Sequence, residues 1–404
     1  MAGLAGFSCK SKIMVLAAYE WSSTPEYDCS SVISQVGYPA KCCDVKIMQW
    51  NQASRKCDQS PPELGVDYPR NYAEFMAWFP DDAACLDYLD WIRWPHGFVC
   101  PDCGGTTAWR MKGGQWWCKA CVSRISATAG TIFHHARTPL TVWFSAAWHL
   151  TSAENGVSAK TLHRILGFGS YQTAWAMLHR FRCAISHAGH DMLSRHVEVD
   201  ETIFGGVRHG KRGRGAGGKV LVAVAVELLS PKGFGRCRLQ IIHNADTKTL
   251  KTFIQKHIKP GSTIYTDGFT SYPSATKDEY VYQGTSVKGS GKEVNEVLPG
   301  VHRVAALVKR WLMGTHQGSF EADHLQAYLD EFTFRFNRRK STHRGMLFYR
   351  LIEQCVAMHP MSFRELVANP KPKKEGQEFA VSAKLRNKAP ASLDISVPSH
   401  PWRN

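Results

Sequence analysis

The chain has 404 residues, of which 44% are hydrophobic and 21% charged, so it can bury the cores of two or three domains and is not a disordered protein. Its 50 lysines and arginines against 34 aspartates and glutamates give a formal net charge of +16. Residues 1–70 contain seven of each sign, so the excess lies in residues 71–404. This distribution favours a polyanionic partner, most often nucleic acid, over the alternative of a basic but merely soluble protein.

The apolar and cysteine patterns argue against two further classes of protein, membrane or exported proteins and disulfide-stabilised proteins. No uncharged apolar run reaches the roughly 18 residues that span a bilayer, and the run Ile13–Tyr19 is stopped by Glu20 before it could form a signal core. We therefore expect a cytoplasmic protein with no membrane partner. Thirteen cysteines are an odd number, which favours reduced thiols and metal ligation over a disulfide framework. The extension at residues 1–67 has no periodic pattern and no assigned role.

Two Cys-x-x-Cys pairs, Cys100/Cys103 and Cys118/Cys121, are separated by fourteen residues. Two such turns let four thiolates converge on one tetrahedral Zn²⁺, and glycine pairs between them supply tight turns. A closed four-cysteine site has no open position for substrate. The spacing therefore predicts a structural zinc in a zinc-ribbon domain at residues 68–135. We expect this ribbon to present five side chains to a partner: Arg110, Lys112, Trp116, Trp117 and Lys119.

Residues 136–190 have the apolar spacing of three helices. The first two are separated at Asn155-Gly156, and the second begins at Ser158. A helix, a tight turn and a serine-capped helix are compatible with a helix-turn-helix that binds DNA. In this interpretation the second helix contacts DNA through Lys160 and Arg164. The alternative is an ordinary three-helix linker.

From residue 191 the pattern changes to β-branched strands followed by helices, which predicts an α/β domain with a mixed sheet at residues 191–345. Residues 346–404 are predicted to form a C-terminal helix and a mobile tail. A basic, glycine-rich hairpin loop lies between the first two predicted strands, and its composition suits contact with phosphates. The cations of this loop are Arg208, Lys211, Arg212, Arg214 and Lys219.

Two aspartates each end a predicted strand, Asp200 after His196–Val199 and Asp267 after Ile264–Thr266. For either one alone, a turn-forming or capping role is the simpler interpretation. Because tips of neighbouring strands lie close together, the two carboxylates could share divalent metal ions. Two ions about 4 Å apart, held by three such ligands, can activate an oxygen nucleophile and stabilise a leaving oxygen in phosphodiester chemistry.

The third ligand is expected on a helix that packs against those tips. His302 stands 35 positions after Asp267, and Lys309 is seven further on, two turns along the same helical face. Glu331 and Glu296 are the alternatives, 64 and 29 positions after Asp267, and Glu331 also has a cation seven residues later.

These residues occur in an ordered set of segments that resembles insertion-sequence transposases of the DDE type, in the zinc-ribbon family whose third catalytic position varies among Glu, Asn and His. The resemblance extends from about Asp67 to Met361. Besides the two cysteine pairs, its matching segments are Arg93–Gly104, Gly130–Phe133, Pro139–Phe144, Val199–Thr202, Tyr265–Gly268, Val301–Val304, Lys309–His316 and Tyr328–Arg339.

The resemblance implies an RNase-H-like catalytic domain that depends on Mg²⁺ and binds, cuts and joins the terminal inverted repeats of a mobile element. Asp200, Asp267 and His302 would hold the ions and Lys309 would position the DNA. It also implies a homodimer or higher oligomer on DNA, at the bacterial nucleoid. The histidine departs from the commoner Glu and suits Mn²⁺ better than Mg²⁺. An inactive, transposase-derived DNA-binding protein and a nuclease without strand transfer are the alternatives.

Overall fold

A computed structural model describes residues 62–187, 191–205, 219–286, 294–318 and 321–367. Nearly all of the predicted N-terminal extension and most of the predicted tail lie outside the described residues. So do four of the loop cations, Arg208, Lys211, Arg212 and Arg214. No described helix is long and apolar enough to cross a membrane.

The described chain begins with two helices, α1 (Tyr72–Trp78) and α2 (Asp82–Arg93). A side-chain oxygen caps each of them: Asn71 accepts the N–H of Glu74 at 3.0 Å, and Asp81 accepts that of Ala84 at 2.8 Å. Three short strands follow as an antiparallel sheet. They are β1 (Ala108–Arg110), β2 (Trp116–Cys118) and β3 (Arg124–Ile125).

Three helices come next, α3 (Leu140–Ser152), α4 (Ala159–Leu166) and α5 (Tyr171–His187). A four-residue turn joins α4 to α5; it starts at Gly167, whose φ of +62° is left-handed, and the hydroxyl of Ser170 accepts the N–H of Thr173. Short turns with glycine are typical of helix-turn-helix units. The predicted turn at Asn155-Gly156 lies in the connection of residues 153–158 between α3 and α4, and the shorter turn joins α4 to α5.

One aromatic core unites the zinc-ribbon part, the three helices and the C-terminal helix α11 (Arg344–Ala357). Phe348 of α11 lies with its ring centroid 5.5 Å from that of Phe75 and 5.7 Å from those of Phe79 and Phe144. Such pairs add about 0.5–1.5 kcal/mol each to the burial of their area. The boundaries predicted at 135/136 and 345/346 therefore do not separate independent cores. The short helix α12 (Phe363–Val367) ends the described chain.

A five-stranded mixed sheet forms the second core. Its order is β6-β5-β4-β7-β8, with β5 antiparallel to β4 and β6, and with β7 parallel to both β4 and β8. This confirms the expected α/β class, and the order and polarity are those of an RNase-H-like sheet. The strands are β4 (His196–Phe204), β5 (Val220–Leu228), β6 (Phe234–Ile242), β7 (Thr263–Thr266) and β8 (Val281–Gly284).

Helices cover both faces of this sheet. On one face α6 and α7 pack against Val197 and Val199 of β4. On the other, α9 and α10 pack against Phe204 of β4 and alternate valines of β5. The bounds are α6 (Thr247–His257), α7 (Ser271–Thr276), α8 (Val294–Val297), α9 (Pro299–His316), a 3₁₀ turn (Ala322–His324) and α10 (Leu325–Asn337).

Amides of α10 satisfy the outer edge of β6. Asn337 accepts the N–H of Cys237 at 2.7 Å and donates to its carbonyl at 3.2 Å, and Gln326 accepts the N–H of Ile241 at 2.9 Å. An edge strand whose backbone groups are paired in this way does not offer them to another chain. The same bonds fix α10 beside α9, which carries two of the predicted site residues.

Candidate active site and zinc centre

The four cysteines of the ribbon converge as their spacing predicts. The Sγ atoms of Cys100 and Cys121 are 3.6 Å apart, as are those of Cys103 and Cys118. A regular tetrahedron with Zn–S bonds of about 2.3 Å has sulfur–sulfur edges of about 3.8 Å. Four thiolates at this spacing therefore fit a structural zinc ion, and the ion would cross-link the turns of the three-stranded sheet.

The surface of the ribbon differs in part from the prediction. Arg110 is exposed, but its guanidinium is already paired with Asp87 and, at 3.0 Å, with the buried Asp90. Trp116 is not presented, since it packs on Phe98 with ring centroids 5.3 Å apart.

The side chains presented on the ribbon form a ladder across the strands. Trp117 stacks on Trp109, with ring centroids 5.9 Å apart and planes 4° from parallel. Lys119 lies over Trp109 and Arg124 over Trp117. Trp109 and Arg124 were not predicted from the sequence, because their positions follow from the strand register.

The two predicted aspartates lie level with one another on adjacent parallel strands. The register pairs Glu198 with Tyr265, and extending it by two places brings Asp200 level with Asp267. Strand neighbours at one level are about 4.8 Å apart. Asp267 follows β7 directly, whereas Asp200 lies within β4, which continues to Phe204. The prediction that Asp200 ends its strand is wrong, because residues 201–204 still pair with β5.

Alternation along β4 turns Asp200 towards α9. Val197 and Val199 belong to the core under α6 and α7, whereas Phe204 belongs to the core under α9. Because side chains alternate between faces, Glu198, Asp200 and Thr202 share the α9 side. Asp200 and Asp267 are both half-buried, so their carboxylates are partly screened from water but still reachable.

Two contacts align α9 along β4. The carboxylate of Glu198 accepts the N–H of Val301 at 2.9 Å, and the ammonium of Lys309 donates to the hydroxyl of Thr202 at 2.8 Å. Four strand residues span about 13 Å and eight helical residues about 12 Å, so helix and strand run side by side between these contacts. Asp200 lies between them, which places Lys309 beside the carboxylate pair.

His302 directly follows Val301, so it lies at the end of α9 that Glu198 contacts, and it is half-buried. The ligand atoms of Asp200, Asp267 and His302 do not all lie within 4.8 Å of one another; among the described residues only the four cysteines form a group that close. Two ions about 4 Å apart need a wider set of ligands than one ion does. The donors, two carboxylates and one imidazole, are of kinds that hold divalent metal ions.

Glu201 and Tyr272 connect the two carboxylate-bearing segments from behind. The buried hydroxyl of Tyr272 donates to Glu201 at 2.8 Å, which ties α7, just after Asp267, to the neighbour of Asp200. Burial raises the pKa of Tyr272, and the charges of Glu201, Asp200 and Asp267 raise it further. Both aspartates therefore lie near one phenol. No sequence pattern indicated a role for Tyr272, whereas Glu201 directly follows a candidate ligand.

Two glutamates proposed as alternative ligands have other environments. Glu331 is completely buried and pairs with buried Arg182 at 2.7 Å, between α10 and α5. Glu296 is exposed on α8. The ion pair makes Glu331 a structural residue, and its cation seven residues later, Arg338, lies over the ring of Phe334.

The remaining predicted DNA contacts differ in exposure. Lys160 and Arg164 are exposed on α4, as the interpretation requires, and Lys219 is half-buried just before β5. At the start of α5, the helix that the short turn presents, Tyr171, Gln172 and Thr173 are also exposed.

Two parts of the chain match models of known protein families. Residues 80–124 match the transposase zinc-ribbon domain, and residues 192–337 match the ISXO2-like transposase domain. The first range contains all four cysteines and the second contains Asp200, Asp267, His302 and Lys309. The family resemblance inferred from the sequence is confirmed.

One curated relative is a protein of the transposable element ISH50 of Halobacterium salinarum, described as uncharacterized. It is 27% identical over 280 residues, which cover 64% of this chain and 91% of the relative. Among solved structures, a chain of the Mos1 strand transfer complex covers 56% of this chain and 77% of its own length at 13% identity. Its TM-score of 0.21 is too low to establish a common fold.

Proposed function

We propose that this chain, which carries a transposase zinc ribbon and an ISXO2-like transposase domain, is a DNA transposase that binds the terminal inverted repeats of an insertion sequence and catalyses strand cleavage and strand transfer. One observation carries the catalytic part of the proposal. Asp200 and Asp267 stand level on adjacent parallel strands, beneath a helix that brings Lys309 to the same strand.

In this mechanism Asp200 and Asp267 would hold a pair of Mg²⁺ or Mn²⁺ ions, and His302 would complete the set of ligands. Such ions, when bound, would lower the pKa of the attacking oxygen and stabilise the leaving oxygen. Water first attacks the phosphorus at the element's end, and the P–O3′ bond breaks to leave a 3′-hydroxyl. That hydroxyl then attacks the phosphorus of a target phosphodiester, whose P–O3′ bond breaks and releases a target 3′-hydroxyl. No covalent bond between protein and DNA is needed.

Lys309 would neutralise the phosphate that is attacked. Its bond to Thr202 holds the ammonium beside β4, and burial lowers its pKa. An ammonium pre-positioned in this way attracts a phosphate without first losing the freedom of a long side chain. The imidazole of His302 is a softer ligand than a carboxylate, which favours Mn²⁺ over Mg²⁺.

The N-terminal parts would supply recognition of the DNA. The ribbon presents two stacked tryptophans flanked by Lys119 and Arg124, and α4 presents Lys160 and Arg164. Two ends of an element must be held together before joining, so the proposal includes a homodimer or higher oligomer on DNA. The DNA substrate also places the protein at the nucleoid.

A joining assay tests this function. Purified protein is incubated with a duplex that carries the inverted repeat flanking its gene, a supercoiled target, and either Mg²⁺ or Mn²⁺. Asp200→Asn and His302→Ala should abolish joined product, whereas Glu296→Gln, an exposed residue near α9, should retain it. If the repeat is bound but never cut in either metal, the protein is an inactive, transposase-derived DNA-binding protein. If it cuts without joining, it is a nuclease.

A further inference from the structure

A cavity of about 730 Å³ lies on the outer side of the catalytic region, between α9, α10 and the connection from α3 to α4. Its volume is within the range of about 300–1,000 Å³ that is typical of small-molecule sites. Four arginines and one glutamate contribute to its lining, so its charge favours an anion. The arginines are Arg310, Arg335, Arg339 and Arg344.

Two of these arginines build the cavity. Arg335 donates to the carbonyls of Ala153 and Glu154 at 2.5 and 2.6 Å, which fixes the α3–α4 connection as one wall. Arg339 donates to the carbonyls of Gly235 and Phe234, at the start of β6. Both are thereby committed to holding backbone in place.

The other two arginines are available to a ligand. Within the described part of the chain, neither Arg310 nor Arg344 has a carboxylate or carbonyl partner. Arg310 is exposed on α9 and Arg344 is half-buried at the start of α11, so they flank the cavity from two different helices. A phosphate between them would receive charge-assisted hydrogen bonds from both.

An aromatic row forms the floor. Trp311 lies 5.9 Å from Phe332, and Phe332 lies 5.7 Å from Phe336 with their planes 19° apart, as measured between ring centroids. The indole N–H of Trp311 donates to the carbonyl of Asn155, which holds this ring in place. Fixed rings beside free cations are what single-stranded nucleic acid binds, through stacked bases and paired phosphates.

The position of the cavity links it to the candidate active site. Lys309 and Trp311 are two residues apart on α9, so they face nearly opposite sides of one helix about 10 Å wide. Exposed Arg310 lies between them. A strand that leaves Lys309 can thus cross α9 over Arg310 and reach the aromatic row.

We propose that this cavity binds an unpaired nucleotide of the DNA strand that passes through the active site, with its base on the Trp311–Phe332–Phe336 row and its phosphate between Arg310 and Arg344. This inference rests on the proposed function, because it takes the strand to be transposase substrate. An unpaired base held here would keep the end of the DNA duplex open next to the carboxylates.

The test measures binding to a short single-stranded oligonucleotide with one 2-aminopurine, beside the blunt duplex of the same sequence, without divalent metal. Stacking quenches the fluorescence of 2-aminopurine, so the full-length protein should quench it in the single strand and not in the duplex. Arg310→Gln combined with Arg344→Gln should weaken single-strand binding about tenfold and reduce the slope of log K against log salt by about 0.7, the value for one phosphate contact.

Matched variants make the result specific. Lys251→Gln combined with Lys256→Gln removes two exposed charges from α6, on the other face of the sheet, and should leave binding unchanged. Phe332→Leu should remove the quenching and preserve the salt slope. The proposal is overturned if the arginine double variant and the lysine double variant weaken binding equally, or if Phe332→Leu still quenches the fluorescence. It is also overturned if the duplex binds as well as the single strand, or if a deoxynucleoside monophosphate alone displaces the oligonucleotide.

Asp200→Asn separates this proposal from the proposed function. The variant should bind and quench the oligonucleotide like the unchanged protein while it fails to join DNA. If the unchanged protein joins DNA but does not quench the oligonucleotide, the nucleotide site alone is overturned. Quenching by a protein that never cuts or joins DNA in either metal would overturn the transposase and leave a binder of unpaired DNA.

Discussion

The carboxylate of Glu198 accepts the backbone N–H of Val301 at 2.9 Å, although the two residues are 103 positions apart. The bond joins the middle strand of the sheet to the first turn of α9, one residue before His302. A side-chain carboxylate at a helix N-terminus satisfies a backbone donor and interacts favourably with the helix dipole. Glu198 therefore fixes where α9 begins relative to Asp200.

Glu198→Ala should slow joining more than it weakens DNA binding, because α9 loses its anchor while the DNA contacts remain. Leaving the Val301 N–H without a partner costs about 1–3 kcal/mol of the free energy of unfolding. Glu198→Gln keeps an acceptor oxygen and should restore most of the joining rate. Joining kinetics and urea unfolding of the three proteins check this. Equal rates in all three would show that the bond does not position α9.

Glu331→Gln should destabilise the protein by about 3–5 kcal/mol, because it leaves the buried guanidinium of Arg182 without its carboxylate. Replacing both partners, with Arg182→Met and Glu331→Leu, should recover much of that loss, since no buried charge then remains. Chemical denaturation measures both effects. A Glu331→Gln protein of unchanged stability that cannot join DNA would instead make Glu331 the third metal ligand.

The purified protein should contain one zinc ion per chain, and Cys118→Ser should lower this content and the melting temperature. Cys118 is buried in the core that the ribbon shares with the helices, so loss of the ion should loosen that core as well as the ribbon. Cys355→Ala is the matched control, because it removes a buried thiol that is not part of the four-cysteine group. Metal analysis and thermal unfolding decide the point; unchanged zinc in Cys118→Ser would contradict the four-thiolate site.

His179→Phe should make the protein more resistant to acid. Burial, followed by the charge of Arg182, lowers the pKa of His179 to about 2, so the folded state holds the ring neutral. Because the pKa of His179 is lower in the folded protein than the value of about 6.5 in the unfolded chain, its contribution to the free energy of unfolding is full above pH 6.5. This contribution is lost as the pH falls towards 2. Each pH unit in this window costs about 1.4 kcal/mol.

Phenylalanine has no proton to gain, so between pH 6.5 and 4 the variant should lose about 3 kcal/mol less of its free energy of unfolding than the unchanged protein. The same variant should keep its packing on Trp175, whose ring centroid is 4.0 Å from that of His179. Urea unfolding at several pH values measures the difference. Parallel pH profiles for the two proteins would show that His179 is charged in the folded state.

The sequence by itself determined the elements that local physics controls. The spacing of Cys100, Cys103, Cys118 and Cys121 predicted the zinc site because two tight turns hold each pair of thiolates. β-branched runs predicted the strand that contains Asp200 and the strand that precedes Asp267, because such residues suit a pleated, half-buried surface. Apolar residues at helical spacing, with a capping residue such as Ser158, predicted the helices of residues 136–190, because both signals depend only on residues a few positions apart.

Tertiary structure decided what depends on register and on contacts between distant residues. Only the pairing of β4 with β7 brings Asp200 level with Asp267, and the pairing of β4 with β5 shows that Asp200 lies inside its strand. Only packing makes Glu331 the partner of Arg182 and Asp90 a partner of Arg110, since these charges are far apart in sequence. Such contacts leave no periodic trace in the chain, because burial and ion pairing are properties of the folded neighbourhood.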